Sequence, residues 1–225
     1  MDLKQSVKEA ANTLGIKGKL KKIQSKAIND GLDGHDLLVI APTSFGKSAI
    51  FQILALIRKG LTIIVVPTLS LLHDQVEQLQ QSDISVGFCS SDVLSWDESD
   101  MQSALDQYGY LLLYTTPESL WKLELSDIPA SLLVVDECHC VTSWGYGFRK
   151  AYLEIGDFVD SLSRRPQLIA LTATAPMADR KQIKQLLHMK HVKEHMVSLY
   201  RPKLTFSSYS FVSEEARQKK LKHLL

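Results

Sequence analysis

The octapeptide APTSFGKS, Ala41 to Ser48, joins a short apolar stretch to a helical pattern through a loop that ends in Lys-Ser. At a helix start the backbone N–H groups point at whatever occupies the loop, and the helix dipole adds partial positive charge, so a triphosphate is the natural ligand. Lys47 would reach the β- and γ-phosphates and the Ser48 hydroxyl would hold Mg²⁺, with Thr43, Ser44, Phe45 and Gly46 wrapping the phosphates. The strict pattern GxxxxGK[ST] has Ala41 at its first position; the strand before and the helix after supply the context that the motif requires.

A second constellation, VVDECH, sets Asp136 and Glu137 at the end of an apolar run. Phosphoryl transfer to water needs one carboxylate to hold the metal through its water shell and another group to orient or deprotonate the attacking water. Asp136 is assigned to the metal and Glu137 to the water. His139 either couples this site to other elements or is a satisfied structural histidine.

The elements that must position these groups are legible from periodicity. Leu37–Ala41, Leu61–Val66, Tyr110–Tyr114, Leu132–Val135 and Gln167–Leu171 are short apolar runs, several without alternation, as expected of strands buried on both faces of a parallel sheet. Between them lie helical patterns such as Lys47–Lys59, stopped by Gly60, and Leu69–Gln81. This alternation specifies an α/β fold. Because ligands bind at the carboxyl ends of parallel strands, the two constellations are expected on one edge. Ser198–Lys203, with Arg201-Pro202, reads as a hinge, followed by an alternating run, Leu204–Ser210, and a helix, Glu214–Leu225.

Composition narrows the class. The 225 residues are 45% hydrophobic and 23% charged, with a net charge of +1, so nucleic acid would be held by local patches rather than bulk charge. Lys17, Lys19, Lys21, Lys22 and Lys26 form one such run and Lys219, Lys220 and Lys222 another, each equally readable as a solvated helix face. Three cysteines, Cys89, Cys138 and Cys140, without a CxxC pair, predict free thiols and no zinc site. No apolar run approaches the roughly 18 residues of a membrane span, and the first residues lack a signal core, so a soluble intracellular protein, cytoplasmic or nuclear, is expected.

AxTxxGKS, DECH and then LTATA at Leu171–Ala175, in this order, resemble the first RecA-like domain of superfamily 2 helicases. Within them the chain is similar to the RecQ-like DNA helicases. KKIQSKAI resembles the family's motif 0, VVPTLSLLHDQVEQL its motif Ia, YTTPESL the next nucleic-acid-contacting motif, HCVTSWGYGFRKAY its aromatic-rich loop and YRPKL its linker to a second domain. The resemblance implies a P-loop, RecA-like three-layer sandwich with a mostly parallel sheet over residues 1–203, and the linker and start of a second RecA-like domain over 204–225. It implies ATP and Mg²⁺ as ligands, single-stranded DNA as the track, 3′ to 5′ movement, and roles in DNA repair and recombination. Gln24 would read the adenine edge. Trp144, Phe148 and Arg149 would sense DNA, the aromatic rings by stacking bases for about 1–3 kcal/mol each. Thr68, Ser70, Thr116 and Glu118 match strand-gripping positions. Thr172 and Thr174 would link hydrolysis to domain movement, or else cap the helix that begins near Pro176.

Three departures qualify the likeness. Ser44 stands where the family's loop has Gly, so a positive φ there would carry strain. Tyr146 and Gly147 replace the usual His-Asp after Trp-Gly, and no aromatic residue precedes Gln24 to stack on adenine. The chain carries no second lobe to supply an arginine finger, so it is expected to be a piece of a longer helicase that hydrolyses ATP slowly by itself. A DEAD/DEAH RNA helicase and an ATP-gated scaffold without turnover are the alternatives.

Overall fold

The computed structural model describes residues 3–82, 84–90, 96–123, 125, 128–143, 150–198, 205 and 207–224. Its elements, in chain order, are α1 (Leu3–Thr13), α2 (Lys22–Leu32), β1 (Leu37–Ile40), α3 (Ser48–Arg58), β2 (Gly60–Val65), α4 (Leu69–Gln80), β3 (Val86–Cys89), α5 (Glu98–Tyr108) and β4 (Tyr110–Thr115). A 3₁₀ turn at Pro117–Lys122, β5 (Ala130–Val135), α6 (Cys140–Ser143), a second 3₁₀ turn at Lys150–Tyr152, α7 (Ile155–Ser161), β6 (Gln167–Thr172), α8 (Met177–Leu186), β7 (Lys193–Met196) and α9 (Glu214–Leu224) follow.

The strands form one sheet in the order β3-β4-β2-β5-β6-β1-β7, and every pairing is parallel. Successive side chains of the central strands enter opposite cores. Leu37, Val39, Ile64, Leu112, Val134 and Ile169 pack with α1 to α4 on one face. Leu38, Ile40, Ile63, Leu113, Val135 and Ala170 pack with α5 to α8 on the other. Burial on both faces removes the solvent-side demand for polar residues, which is why the strands read as continuous apolar runs.

All five expected strands form, within a residue or two of the predicted bounds, as do α3 and α4. Two strands escaped the periodicity. β7, KEHM, is polar and lies on the edge of the sheet, held by pairing of Leu37 with Lys193 through Ile40 with Met196. Its backbone register, rather than its hydropathy, makes it a strand. β3, VGFC, is only four residues long and includes Gly87, over which the Trp96 ring packs. The alternating run Leu204–Ser210 is not a strand at its described residues, Thr205 and Ser207 to Ser210. The predicted hinge falls, beyond Ser198, outside the described residues.

Candidate active site

The sheet order places β6 between β1 and β5, so the segments that leave the carboxyl ends of these three strands are neighbours. Backbone bonds then tie them together. Ala41 N–H donates to Thr172 O at 3.0 Å and Cys138 N–H donates to Leu171 O at 2.8 Å, while Asp136 N–H donates to Val65 O at 2.9 Å. The end of β6, which carries LTATA, therefore holds both the phosphate loop and the acidic turn.

The loop between β1 and α3 closes tightly, with Phe45 N–H donating to Pro42 O at 3.2 Å. Ser44 adopts φ 61° and Gly46 φ 85°. The departure at Ser44 thus carries the predicted strain, a left-handed L-residue costing about 1–2 kcal/mol. At Gly46 the positive φ favours glycine, and a Cβ would lie 2.8 Å from Gln24 Nε2 and displace that amide from the loop. No side chain caps the start of α3, which leaves its first N–H groups to whatever occupies the loop. Lys47 Nζ donates to Ala41 O at 3.1 Å, folded back over the loop, and Ser48 opens the helix.

Gln24 lies against this loop. Its Nε2 donates to Gly46 O at 2.9 Å and Phe45 O at 3.3 Å, and its Oε1 accepts from Lys21 N–H at 2.8 Å. Lys21, read from sequence only as part of a charged run, donates Nζ to Phe45 O at 2.7 Å and sits 4.1 Å from the centre of the Phe45 ring. Fixing these two carbonyls turns the N–H groups of Gly46 and Lys47 the other way, because C=O and N–H of a trans peptide point in opposite directions. The first turn of α2 thereby orients the loop's donors.

Asp136 is buried at 8% exposure. Its Oδ1 accepts from Glu137 N–H at 2.9 Å and its Oδ2 from Gln75 Nε2 at 3.3 Å. Burial, and then the neighbouring Glu137, raise its pKa, with these hydrogen bonds and Lys47 opposing. Gln75, on α4, is a site residue that no motif reading had singled out; it lies about two helical turns beyond the Thr68 cap.

Glu137 takes φ 48° in the turn after β5, and its Oε2 lies 3.2 Å from His139 Nδ1. That contact lowers the Glu137 pKa against the opposing effect of burial, helped by Lys47. His139 is raised to about 10 by the Cys140 sulfur, 3.9 Å from Nε2, and by the Glu137 carboxylate. Of the two, the carboxylate is the stronger partner, since a thiol at that separation is a weak acceptor. His139 Nδ1 is also 3.0 Å from Thr172 Oγ1, which in turn donates to Thr174 O at 3.0 Å and accepts from Thr174 N–H at 3.2 Å. Of the two readings of Thr172, helix capping fails: α8 starts at Pro176 without a side-chain cap, and the hydroxyl joins His139 instead.

Other expected residues sit apart from nucleotide chemistry. Thr68 caps α4, its hydroxyl accepting from Leu71 N–H at 3.2 Å. The buried Thr116 hydroxyl donates to Ser119 Oγ at 3.2 Å. Trp144, Phe148 and Arg149, with Tyr146 and Gly147, lie outside the described residues. Tyr152, at the end of the aromatic-rich segment, is fully buried in the core.

A magnesium ion fits the donor set. Among the described residues no cluster of three or more His, Cys, Asp or Glu side chains makes a closed metal cage. Mg²⁺ asks for less: one or two protein oxygens, here Asp136 and the Ser48 hydroxyl, with phosphates and water completing the shell. A cation would also relieve the charge that burial and Glu137 crowd onto Asp136.

The model of the DEAD/DEAH box helicase family matches residues 21–183, from the brace on the phosphate loop to α8. This chain belongs to that family. Among curated proteins it is 35% identical to the ATP-dependent DNA helicase RecQ of Haemophilus influenzae over 83% of this chain and 31% of that protein. It is 31% identical to the RecQ helicase of Synechocystis over 99% of this chain and 48% of that protein. The family member is thus RecQ-like, and it spans from a third to a half of the length of these relatives. The fold is similar to the Hef helicase domain of Pyrococcus furiosus, with TM-score 0.57 and 20% identity over 78% of this chain and 38% of that one. The RecA-like architecture expected from sequence is the one observed, with an entirely parallel sheet among the described strands.

Proposed function

We propose that this chain binds Mg²⁺ and ATP at the carboxyl edge of β1, β5 and β6 and hydrolyses ATP as the nucleotide-binding lobe of a RecQ-like DNA helicase. The observation that carries the reading is the welding of the phosphate loop and the acidic turn to one strand end, through Ala41 to Thr172 and Cys138 to Leu171. Lys47 leaves the Ala41 carbonyl for the β- and γ-phosphates, and the N–H groups of Gly46 and Lys47 hold the phosphate oxygens. Asp136 and Ser48 hold the metal, which when bound neutralises charge developing on the transferred phosphoryl group. Glu137, kept ionised by His139, orients the attacking water and accepts its proton. Gln24 reads adenine by exchanging its longer bond to Phe45 O.

Thr172, hydrogen-bonded to His139, connects this chemistry to the segment after β6, along which hydrolysis is passed to a second lobe. Single-stranded DNA is the track, gripped by the Thr68 and Thr116 segments and stacked on Trp144 and Phe148, with Arg149 at a phosphate. The scaffold alternative loses ground because Ser44 reaches the positive φ of the loop despite its side chain.

Calorimetry with Mg·ATP tests the reading. The wild-type chain should bind, Lys47→Ala should weaken binding at least about tenfold, and Glu137→Gln should bind normally while losing about 10²-fold or more in turnover. Absence of binding by folded wild-type protein would refute it. Greater stimulation of turnover by single-stranded RNA than by DNA would move the track assignment to the RNA helicases of the same family.

A further inference from the structure

The amino-terminal edge of the sheet, opposite the carboxylate turn, carries a cavity of about 500 Å³ bordered by the segments entering β1, β2, β5 and β6. Four cations line it, Arg58, Lys59, Arg164 and Arg165, against a single carboxylate, Asp36. That carboxylate is saturated: it accepts from Arg165 Nη2 at 2.6 Å and Nη1 at 3.3 Å, from Leu168 N–H at 2.9 Å and from Lys190 N–H at 2.6 Å. The pair with Arg165 leaves three positive charges without a carboxylate partner among the described residues.

One of the three, Arg58, is partly withdrawn from water. Among the described residues its guanidinium donates to neutral carbonyls, Gly31 O at 2.7 Å and Leu32 O at 3.4 Å. Burial lowers its pKa with no carboxylate to offset it. Lys59 takes φ 65° and ψ 176°, a backbone region that is essentially restricted to glycine and costs about 1–3 kcal/mol. Its exposed ammonium rests 4.8 Å from the centre of the Tyr110 ring, at the border between this cavity and a neighbouring one, and Arg164 is exposed at the rim. Cations gathered at one concavity whose single carboxylate is already saturated attract an anion, and guanidinium groups match the paired oxygens of phosphate.

We infer that this cavity is a second phosphate-binding site, formed by Arg58, Lys59 and Arg164 and separate from the nucleotide edge. Its ligand is a phosphate group, supplied either by a nucleic-acid backbone or by a free phosphate compound. Asp36 serves as the brace that holds Arg165 and the strand entrances in place around it.

The test is titration of the full chain carrying Lys47→Ala, which weakens the nucleotide edge, with inorganic pyrophosphate and, separately, with a single-stranded DNA oligonucleotide. Adding Arg164→Gln should weaken the ligand that uses the site about tenfold, and Arg164→Lys should restore most of that affinity. Loss confined to pyrophosphate identifies a free phosphate compound. Loss for DNA, with the salt dependence of binding reduced by about one counterion, identifies the backbone. Arg58→Gln, checked for folding because Arg58 ties α2, should act in the same direction. If neither ligand responds to Arg164→Gln, the site does not exist, whatever the outcome at Lys47.

Discussion

At the scale of single residues, the proposed hydrolysis depends on which protons are held where. Asp136 and Glu137 are adjacent, yet burial raises one and His139 lowers the other, so the two carboxylates are set apart for different work. The His139 ring, raised to about 10 from an ordinary 6.5, is charged at neutral pH. A group whose folded pKa lies above its unfolded value contributes stability that is complete below the unfolded pKa and fades as pH rises through the folded one. His139→Gln should therefore lower the melting temperature at neutral pH, and the gap from wild type should close as pH passes about 10. A gap that stays constant over that range, measured by thermal denaturation, would reduce His139 to packing. Lys47, Ser48, Asp136 and Glu137 were legible as residues because their spacing is local. Lys21 and Gln75 were not, because each meets its partner only across the fold: Lys21 reaches Phe45 and Gln75 reaches Asp136.

Elements are positioned by close packing on both faces of the sheet, and α7 approaches α8 closely at Gly156. A Cβ on Gly156 would sit 2.3 Å from the carbonyl oxygen of Leu186, at the end of α8. That oxygen is backbone and has little room to yield. Gly156→Ala should therefore push α7 off α8 and cost about 1–3 kcal/mol, read as a lower denaturation midpoint with an unchanged slope. An unchanged midpoint would show that the two helices accommodate the methyl group. The strands buried on both faces announced themselves by hydropathy, whereas β7 did not. Its residues, Lys193 to Met196, are exposed except for His195, which pairs with Asp30 at 3.1 Å. Edge strands of this kind are selected by backbone pairing and leave no apolar pattern to read.

For the whole molecule, both cores share one sheet, so the parts that pack on it should unfold together, while α9 stands outside that cooperation. No described residue of α9 is buried, and a helix polar all round has little packing to hold it. Its amides should exchange with solvent orders of magnitude faster than those of β5 and β6, as hydrogen exchange would measure. Slow exchange throughout α9 would mean that it is held by contacts beyond its own turns. The sequence by itself determined the α/β class, the five central strands, the phosphate loop, the acidic turn and the family, because each is written in local spacing and in burial on two faces. Only the tertiary structure decided that β6 joins the phosphate loop to the acidic turn and that α2 sets the peptides of that loop. It likewise decided that Thr172 answers to His139, and that four cations meet at the amino edge. These depend on strand order and on contacts between distant segments, for which a linear pattern carries no physical signal.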